Sequence, residues 1–350
     1  MGWHLHPQIQ ITSTWGDAMA LLLLDRAQLE IKAEGDALAL YEAGTRRGTI
    51  PVKLVDRCVI HGAQTRIHTG VLMKLAESGA TVVLMSPRQP RSVATLYGNK
   101  HNDASIRLAQ AKWVLDDAHC QSWARQIVIA KLNKQRKVVE SWLAQRPDCR
   151  KPLWDARNEI DSCLRAMTLA TENSPQTDLA RFRGLEGTAA RAHFSALAAV
   201  VPPSLGFTGR NRRPPRDPIN TSLSLAYTML HVMAVQACNR SGLDPMLGFY
   251  HRPCIGRESL ACDIIEPLRA QVDWWVWSLF RQRILRDDHF SMDKGACILG
   301  KTGRAVFYAE WEKDSKALQR WLSMQTQQLA RQLRQSGMLW LDSEEPGDAE

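Results

Sequence analysis

The apolar residues of this chain change their period near residue 91, and the change limits what can fold on either side. Up to about Val93, short apolar runs (Leu21–Leu24, Leu38–Leu40, Val52–Val55, Val82–Met85) are each bounded by Gly, Asp, Arg or Pro. Runs of that length and punctuation predict the strands of a small β-domain. Thr69–Ser78 breaks the rhythm, with Val71, Leu72 and Leu75 on one helical face and Gly79 after it. A short helix before a strand at Thr81–Met85 is predicted there. Ser86–Arg91 (SPRQPR) reads as a linker, because its two prolines and two arginines cannot continue a central strand. Beyond it the apolar positions recur at helical spacing, from Ile106, Leu108, Trp113 and Val114 to Trp123, Ile127 and Leu132. Helices are predicted over 104–143, 158–170, 178–200, 221–238, 259–286 and 311–337. The expected fold class is α+β, with a β-rich domain over 1–93, a helical domain over 94–340 and an acidic tail over 341–350, expected to be disordered.

Charge narrows the choice of partner. Lys and Arg number 45 against 36 Asp and Glu, a net +9, which favours a polyanion through counterion release. The eight cysteines form no C-x-x-C pair and read as reduced thiols of a cytoplasmic protein. The apolar run Ala18–Leu24 is far too short to span a bilayer, so no membrane role is expected. There is no P-loop, no dinucleotide glycine pattern and no Gly-x-Ser-x-Gly elbow, which counts against nucleotide-driven motors, redox enzymes and serine hydrolases of those types.

Four segments carry chemistry. Glu186 shares a helical face with Phe182, Ala189, Ala190 and His193, where a carboxylate is costly to bury without a cation; an exposed Glu at a helix start is the alternative. Gly242–His251 (GLDPMLGFYH) is a turn-rich loop that presents Tyr250 and His251 at its end; alone, such a histidine is more often a surface or hydrogen-bonding residue than a ligand. In Ser259–Arg269 (SLACDIIEPLR), Asp263 and Glu266 lie three apart on one helical face, Pro267 strains the turn, and the acids need a cation between them or a partner in Arg269. Val201–Pro218 holds five prolines and four arginines, among them Arg210, Arg212 and Arg213, and reads either as a solvated loop or as a mobile basic loop near a phosphate backbone. Trp274, Trp275 and Trp277 read as packing residues rather than base-stacking ones. Two carboxylates and one imidazole drawn from separate segments form a mixed O/N set suited to Mg²⁺ or Mn²⁺, with positions left for water and phosphate oxygens. A cation so held polarises a phosphodiester, which in a basic chain points to nucleic acid.

At these residues the chain resembles the CRISPR-associated integrase family of spacer acquisition. Ile50-Pro51, Ile60-His61-Gly62, Thr69–Leu72 and Gly79–Val82 resemble its N-terminal β-domain, and Ile127–Gln135 its first long helix. Glu186-Gly187 with Ala189-Ala190, Asp217–Asn220, Gly242–Pro245 with Gly248 and His251, and Leu260–Arg269 resemble its catalytic blocks, in order. The resemblance implies a dimerising β-sandwich joined to an all-helical catalytic domain. It implies metal ligation by Glu186, His251 and Glu266, with Asp263 as an accessory acid and Arg269 and Asn220 beside them as DNA contacts. It implies two homodimers bridged by a small ferredoxin-like adaptation partner. It also implies insertion of short double-stranded DNA fragments at CRISPR repeats by transesterification from a 3′-hydroxyl, with hydrolysis as the nuclease side of the same chemistry. A non-catalytic DNA-binding scaffold and a plain metal nuclease are the competing readings.

Overall fold

The computed structural model describes residues 11–12, 20–24, 28–61, 65–86, 92–98, 103–173 and 179–338. The N-terminal elements are β1 (Ile11–Thr12), β2 (Ala20–Leu24), β3 (Leu29–Glu34), β4 (Ala37–Glu42), β5 (Thr45–Pro51), β6 (Val55–His61), β7 (Arg66–Ile67), α1 (Thr69–Glu77), β8 (Thr81–Met85) and β9 (Ser92–Leu96). They form one sheet in the order β1-β2-β6-β8-β9 and a second in the order β5-β4-β3-β7. Strands β2, β6 and β8 run parallel.

The pleat explains why β2, β6 and β8 read as nearly continuous apolar runs. Leu22, Leu24, Cys58, Ile60 and Val82 face the second sheet, where they meet Ile31, Leu38, Leu40 and Ile50. Leu21, Val59, Val83 and Met85 alternate with them and join the core of the helical region instead. A sheet buried on both faces needs apolar residues at every position. Arg57 and His61 on β6 and Thr81 on β8 are buried polar exceptions.

The helical region comprises α2 (Ala104–Leu115), α3 (Asp117–Gln145), α4 (Arg150–Asn173), α5 (Leu179–Val200), α6 (Pro218–Arg240), α7 (Ser259–Ile265), α8 (Arg269–Arg281), the hairpin β10 (Phe290–Asp293) and β11 (Ala296–Leu299), α9 (Lys301–Asp314) and α10 (Lys316–Gly337). Helix α6 is buried on nearly every side and forms the centre of the bundle. It also meets the sheet: Arg57 donates to Gln236 Oε1 at 3.0 Å, and Arg240 donates to Asp56 Oδ1 at 2.6 Å. No helix among the described residues is long and apolar enough to cross a membrane.

The α+β class and the β-to-helix order are as expected, and α1 ends before Gly79, whose φ of 75° suits glycine. Several elements differ from expectation. Val52–Leu54 is a 3-10 turn, and the strand starts at Val55. The expected boundary at residue 93 falls inside β9, which pairs with β8 and extends the sheet; residues 87–91 of the linker lie outside the described residues. The helix expected over 104–143 breaks at Asp116, whose carboxylate caps α3 by accepting from Ala118 N at 2.8 Å. The helix expected from 259 to 286 is interrupted at Glu266–Leu268 and stops at Arg281, while 311–337 divides at Ser315 between α9 and α10. The helical region is not all-helical: β10 and β11 are joined through Lys294 and Gly295, with φ 48° and 79°, a two-residue turn of the primed type. The acidic tail lies outside the described residues.

Candidate metal and nucleic-acid site

The site gathers around a lysine. Helix α3 buries Cys120, Ala124, Val128, Leu132, Val139 and Trp142 along one stripe, and Lys131 lies on it. An ammonium on a buried apolar stripe is costly unless anions meet it. Two do: Lys131 Nζ bonds Glu266 Oε2 at 2.6 Å and also bonds Glu186 Oε1. Glu186 therefore comes from α5, eight residues into the helix rather than at its start, and Glu266 from the 3-10 turn that Pro267 forces between α7 and α8. The second oxygen of Glu186 accepts from Tyr250 OH at 2.6 Å, and that of Glu266 accepts from Arg269 Nε at 2.9 Å.

Burial alone would raise the Glu266 carboxyl. The Arg269 guanidinium and the Lys131 ammonium outweigh it, with a contribution from His251, and hold the group at about 2. For Lys131 the same balance runs the other way: burial lowers it, Glu266 and Glu186 raise it, and the net direction is upward. Burial, followed by Glu186, pushes the Tyr250 phenol up.

Asp263 does something other than face Glu266 across a shared cation. The two carboxylates have different partners, and Asp263 is fully buried. Its oxygens accept from the backbone amides of Phe249, Tyr250 and His251 at 2.7, 2.8 and 2.8 Å, and take His251 Nδ1 at 2.7 Å. A carboxylate is acceptor-only, so Nδ1 carries a proton toward Asp263, and Nε2 is the ring nitrogen left facing away from it. Asp263 thus orients the histidine from behind, as carboxylates do for metal-ligating imidazoles. Gly248 lets this loop close: a Cβ there would lie 2.5 Å from the Ser259 carbonyl carbon.

The Pro- and Arg-rich loop is built rather than loose. Asp217 caps α6, accepting from Asn220 N and Asn220 Nδ2, both at 2.7 Å, and Pro218 opens the helix. Asn220 Nδ2 also donates to Gly209 O at 2.8 Å, while Oδ1 accepts from Arg210 Nη1 at 2.8 Å and from Asn211 N at 3.0 Å. Expected as a DNA contact, Asn220 is fully buried with every polar atom engaged, so it organises the loop. Arg210 is half-buried, whereas Arg212 and Arg213 are exposed. The tryptophans pack: Trp277 meets Trp142 edge-on at 6.1 Å, and Trp275 meets Trp311 at 5.2 Å. Trp274 and Trp275 line a cavity of about 820 Å³ with Lys134 and Trp321, but Glu186, His251 and Glu266 do not.

The structure thus brings Glu186 and Glu266 onto one ammonium and ties His251 to Asp263. Among the described residues, no three His, Cys, Asp or Glu side chains are arranged to hold a metal ion, and the cationic point between the two glutamates is filled by Lys131. Lys131 escaped the sequence-based site, and Tyr250 was read there only as presented beside His251 at the end of its loop. Lys131 had a signal, as a charge at a buried helical spacing; the bond from Tyr250 to Glu186 had none, since it depends on how the loop meets α5.

The fold is that of a two-sheet domain on a helical bundle carrying an acidic, basic-rimmed site. Residues 22–313 match the family described as CRISPR associated protein Cas1, and the chain belongs to that family. The CRISPR-associated endonuclease Cas1 1 of Thermodesulfovibrio yellowstonii is 34% identical over 299 residues, covering 84% of this chain and 91% of the relative. Two solved structures share the fold. A casposase bound to integration product has a TM-score of 0.76 at 21% identity, covering 90% of this chain and 91% of that one. A chain of a Cas6-RT-Cas1–Cas2 complex has a TM-score of 0.73 at 22% identity, covering 96% of this chain and 36% of that one.

Proposed function

We propose that this chain is a divalent-metal-dependent DNA integrase and endonuclease of CRISPR adaptation, which joins the 3′-hydroxyl of a short double-stranded DNA to a phosphodiester at a CRISPR repeat. The observation that carries this is the convergence of Glu186 and Glu266 on one cationic point, in a member of the Cas1 family with a net charge of +9. By its chemistry the donor set suits Mg²⁺ or Mn²⁺: two carboxylates already share a cationic partner in Lys131, and an imidazole is held through Nδ1. Glu186, Glu266 and His251 would hold the ion, which when bound supplies Lewis acidity toward a phosphoryl oxygen and stabilises the attacking and leaving oxygens. Lys131 holds the two glutamates together through its ammonium, and together with Arg269 it favours the ionised form of Glu266. Asp263 fixes the imidazole, and Arg269 offers its guanidinium to a phosphate. The exposed Arg212 and Arg213 extend the basic surface along the backbone. The N-terminal sheets would form a homodimer, and the named Cas1–Cas2 complex supports a Cas2 protein as the small bridging partner.

A specific observation favours a second reading. The Lys131 bridge satisfies both glutamates without any metal, as expected for a non-catalytic DNA-binding scaffold. Incubation of a short duplex with supercoiled plasmid and Mn²⁺ separates the readings. The integrase yields new DNA joints that are lost in His251→Ala; a plain nuclease yields only free ends. A scaffold binds DNA with salt sensitivity, gives neither product and keeps its binding in Glu266→Gln. Joining by His251→Ala at the wild-type rate would sink the site assignment.

A further inference from the structure

A buried polar chain runs from Glu266 to His193. Arg269 Nε donates to Glu266 at 2.9 Å, and the Arg269 guanidinium lies over the Tyr227 ring, 4.9 Å from its centroid. Tyr227 OH donates to Asp273 Oδ1, and Asp273 Oδ2 takes His193 Nε2 at 2.9 Å. Asp273 and His193 are 2% and 0% exposed, so the far end of the chain is anchored in the core. The Arg210 guanidinium also lies over the Tyr227 ring, at 5.5 Å, and is held by Asn220 Oδ1 and by Ser224 Oγ at 2.9 Å.

Two constraints therefore act on Arg269. Glu266 fixes one edge of the guanidinium through Nε, and the aromatic ring fixes its plane. Among the described residues, no acceptor is bonded to Nη1 or Nη2 of Arg269. The planar fork of arginine suits phosphate when both nitrogens of one edge are free, and rigidity spares the entropy of ordering a long side chain. Arg210 is less available, since its Nη groups already reach Asn211, Asn220 and Ser224.

We propose that Tyr227 is a positioning residue: anchored through its hydroxyl on Asp273, its ring sets the plane of Arg269 so that the free Nη edge meets a DNA phosphate beside the cation position. This rests on the DNA-joining function above. A tyrosine serving only to fill space would not need a buried carboxylate at its hydroxyl and guanidinium groups over its ring.

The test uses the full chain and has two arms. In the first, arginine Nε–H resonances are compared in the wild type, Tyr227→Phe and Tyr227→Leu, with Arg269→Lys assigning the Arg269 signal. That signal is expected to be ring-current shifted and slow to exchange in the wild type, still ring-current shifted but faster to exchange in Tyr227→Phe, which keeps the ring and loses its anchor, and moved and fast to exchange in Tyr227→Leu. In the second, single-turnover joining with Mn²⁺ is measured on target DNA bearing one uncharged methylphosphonate at successive positions. Loss of one charge-assisted contact is worth roughly tenfold in rate, so the wild type slows by about that factor at one position. Tyr227→Leu is expected to be about tenfold slower on unmodified DNA and indifferent at that position. Should Tyr227→Leu unfold, Tyr227→Met fills the same space without a ring. An unmoved Arg269 signal, or an unchanged methylphosphonate penalty alongside a lowered melting temperature, makes Tyr227 merely structural and overturns the proposal. A moved signal in a protein whose wild type joins no DNA sinks the joining function while leaving the Tyr227–Arg269 coupling in place.

Discussion

His251 meets Asp263 twice: its backbone amide and its imidazole Nδ1 both end on Asp263 Oδ1, at 2.8 and 2.7 Å. The same carboxylate also collects the amides of Phe249 and Tyr250. Loop closure and imidazole orientation are thus one event, fixed by one buried acid on α7.

Asp263→Asn tests that coupling. The amide offers one acceptor oxygen where the carboxylate offers two, and its NH₂ must face backbone donors. An unsatisfied buried group costs about 1–3 kcal/mol, and loss of an outer partner to a metal-ligating histidine lowers metal affinity or activity roughly 10- to 100-fold. The expected outcome is weaker Mn²⁺ binding by calorimetric titration and slower joining, with a smaller loss in DNA affinity by anisotropy. Wild-type Mn²⁺ binding in this variant would remove Asp263 from the site.

Lys131→Met tests whether the ammonium occupies the place of a metal ion. Without it, Glu266 retains Arg269 while Glu186 retains, among the described residues, Tyr250 OH, and breaking a buried ion pair costs about 3–5 kcal/mol. The variant should melt earlier than the wild type without metal and recover more of that loss on adding Mn²⁺. Scanning calorimetry with and without Mn²⁺ reads both. Equal Mn²⁺ shifts in the two proteins would show that lysine and ion do not compete.

Much of this arrangement is legible in the residues, and the gaps have physical reasons. Glu186, His251, Asp263 and Glu266 stood out because each is a polar group where a helical stripe or a glycine-bounded loop calls for something else. The kink at Pro267 followed from its missing amide. The role of Asp263 did not, because spacing shows that two acids share a helical face but not that one of them will collect the amides of Phe249, Tyr250 and His251. Asn220 was expected as a contact because the resemblance implied it; only its burial shows that the loop has already used it. Tyr227 and Asp273 were invisible, since their pairing depends on how α6 and α8 cross. The hairpin at 290–299 was missed because its strands are four residues long and β10 is largely exposed, leaving almost no alternation to detect.

Gly248→Ala and Gly184→Ala should part company. A Cβ at 248 would lie 2.5 Å from the Ser259 carbonyl carbon and 2.8 Å from His251 O, both backbone atoms, whereas nothing lies within 4 Å of one at 184. At 248 the loop carrying His251 must move, so joining falls sharply and stability falls with it. At 184, inside α5, alanine removes the entropic cost of a helical glycine and stabilises by about 0.5–1 kcal/mol. Urea midpoints and joining rates for both variants check this; an active Gly248→Ala would mean the close approach is dispensable.

Stability should also depend on pH through His231 on α6. Its ring bonds Glu258 Oε2 at 2.6 Å. Burial lowers its affinity for a proton, but Cys262 and Glu258 more than offset this and raise the group from 6.5 to about 9. A pKa raised in the folded state means that the fold binds the proton more tightly than the unfolded chain does. The stabilisation is therefore complete below pH 6.5, declines as pH rises, and is gone once pH passes about 9. Urea midpoints for the wild type should fall between pH 6.5 and 9 by more than those for His231→Gln, which cannot take up the proton. Glu258→Gln should also flatten the slope, because it replaces the anion that favours imidazolium. Parallel pH profiles for the wild type and His231→Gln would show that the proton is not linked to folding at this position.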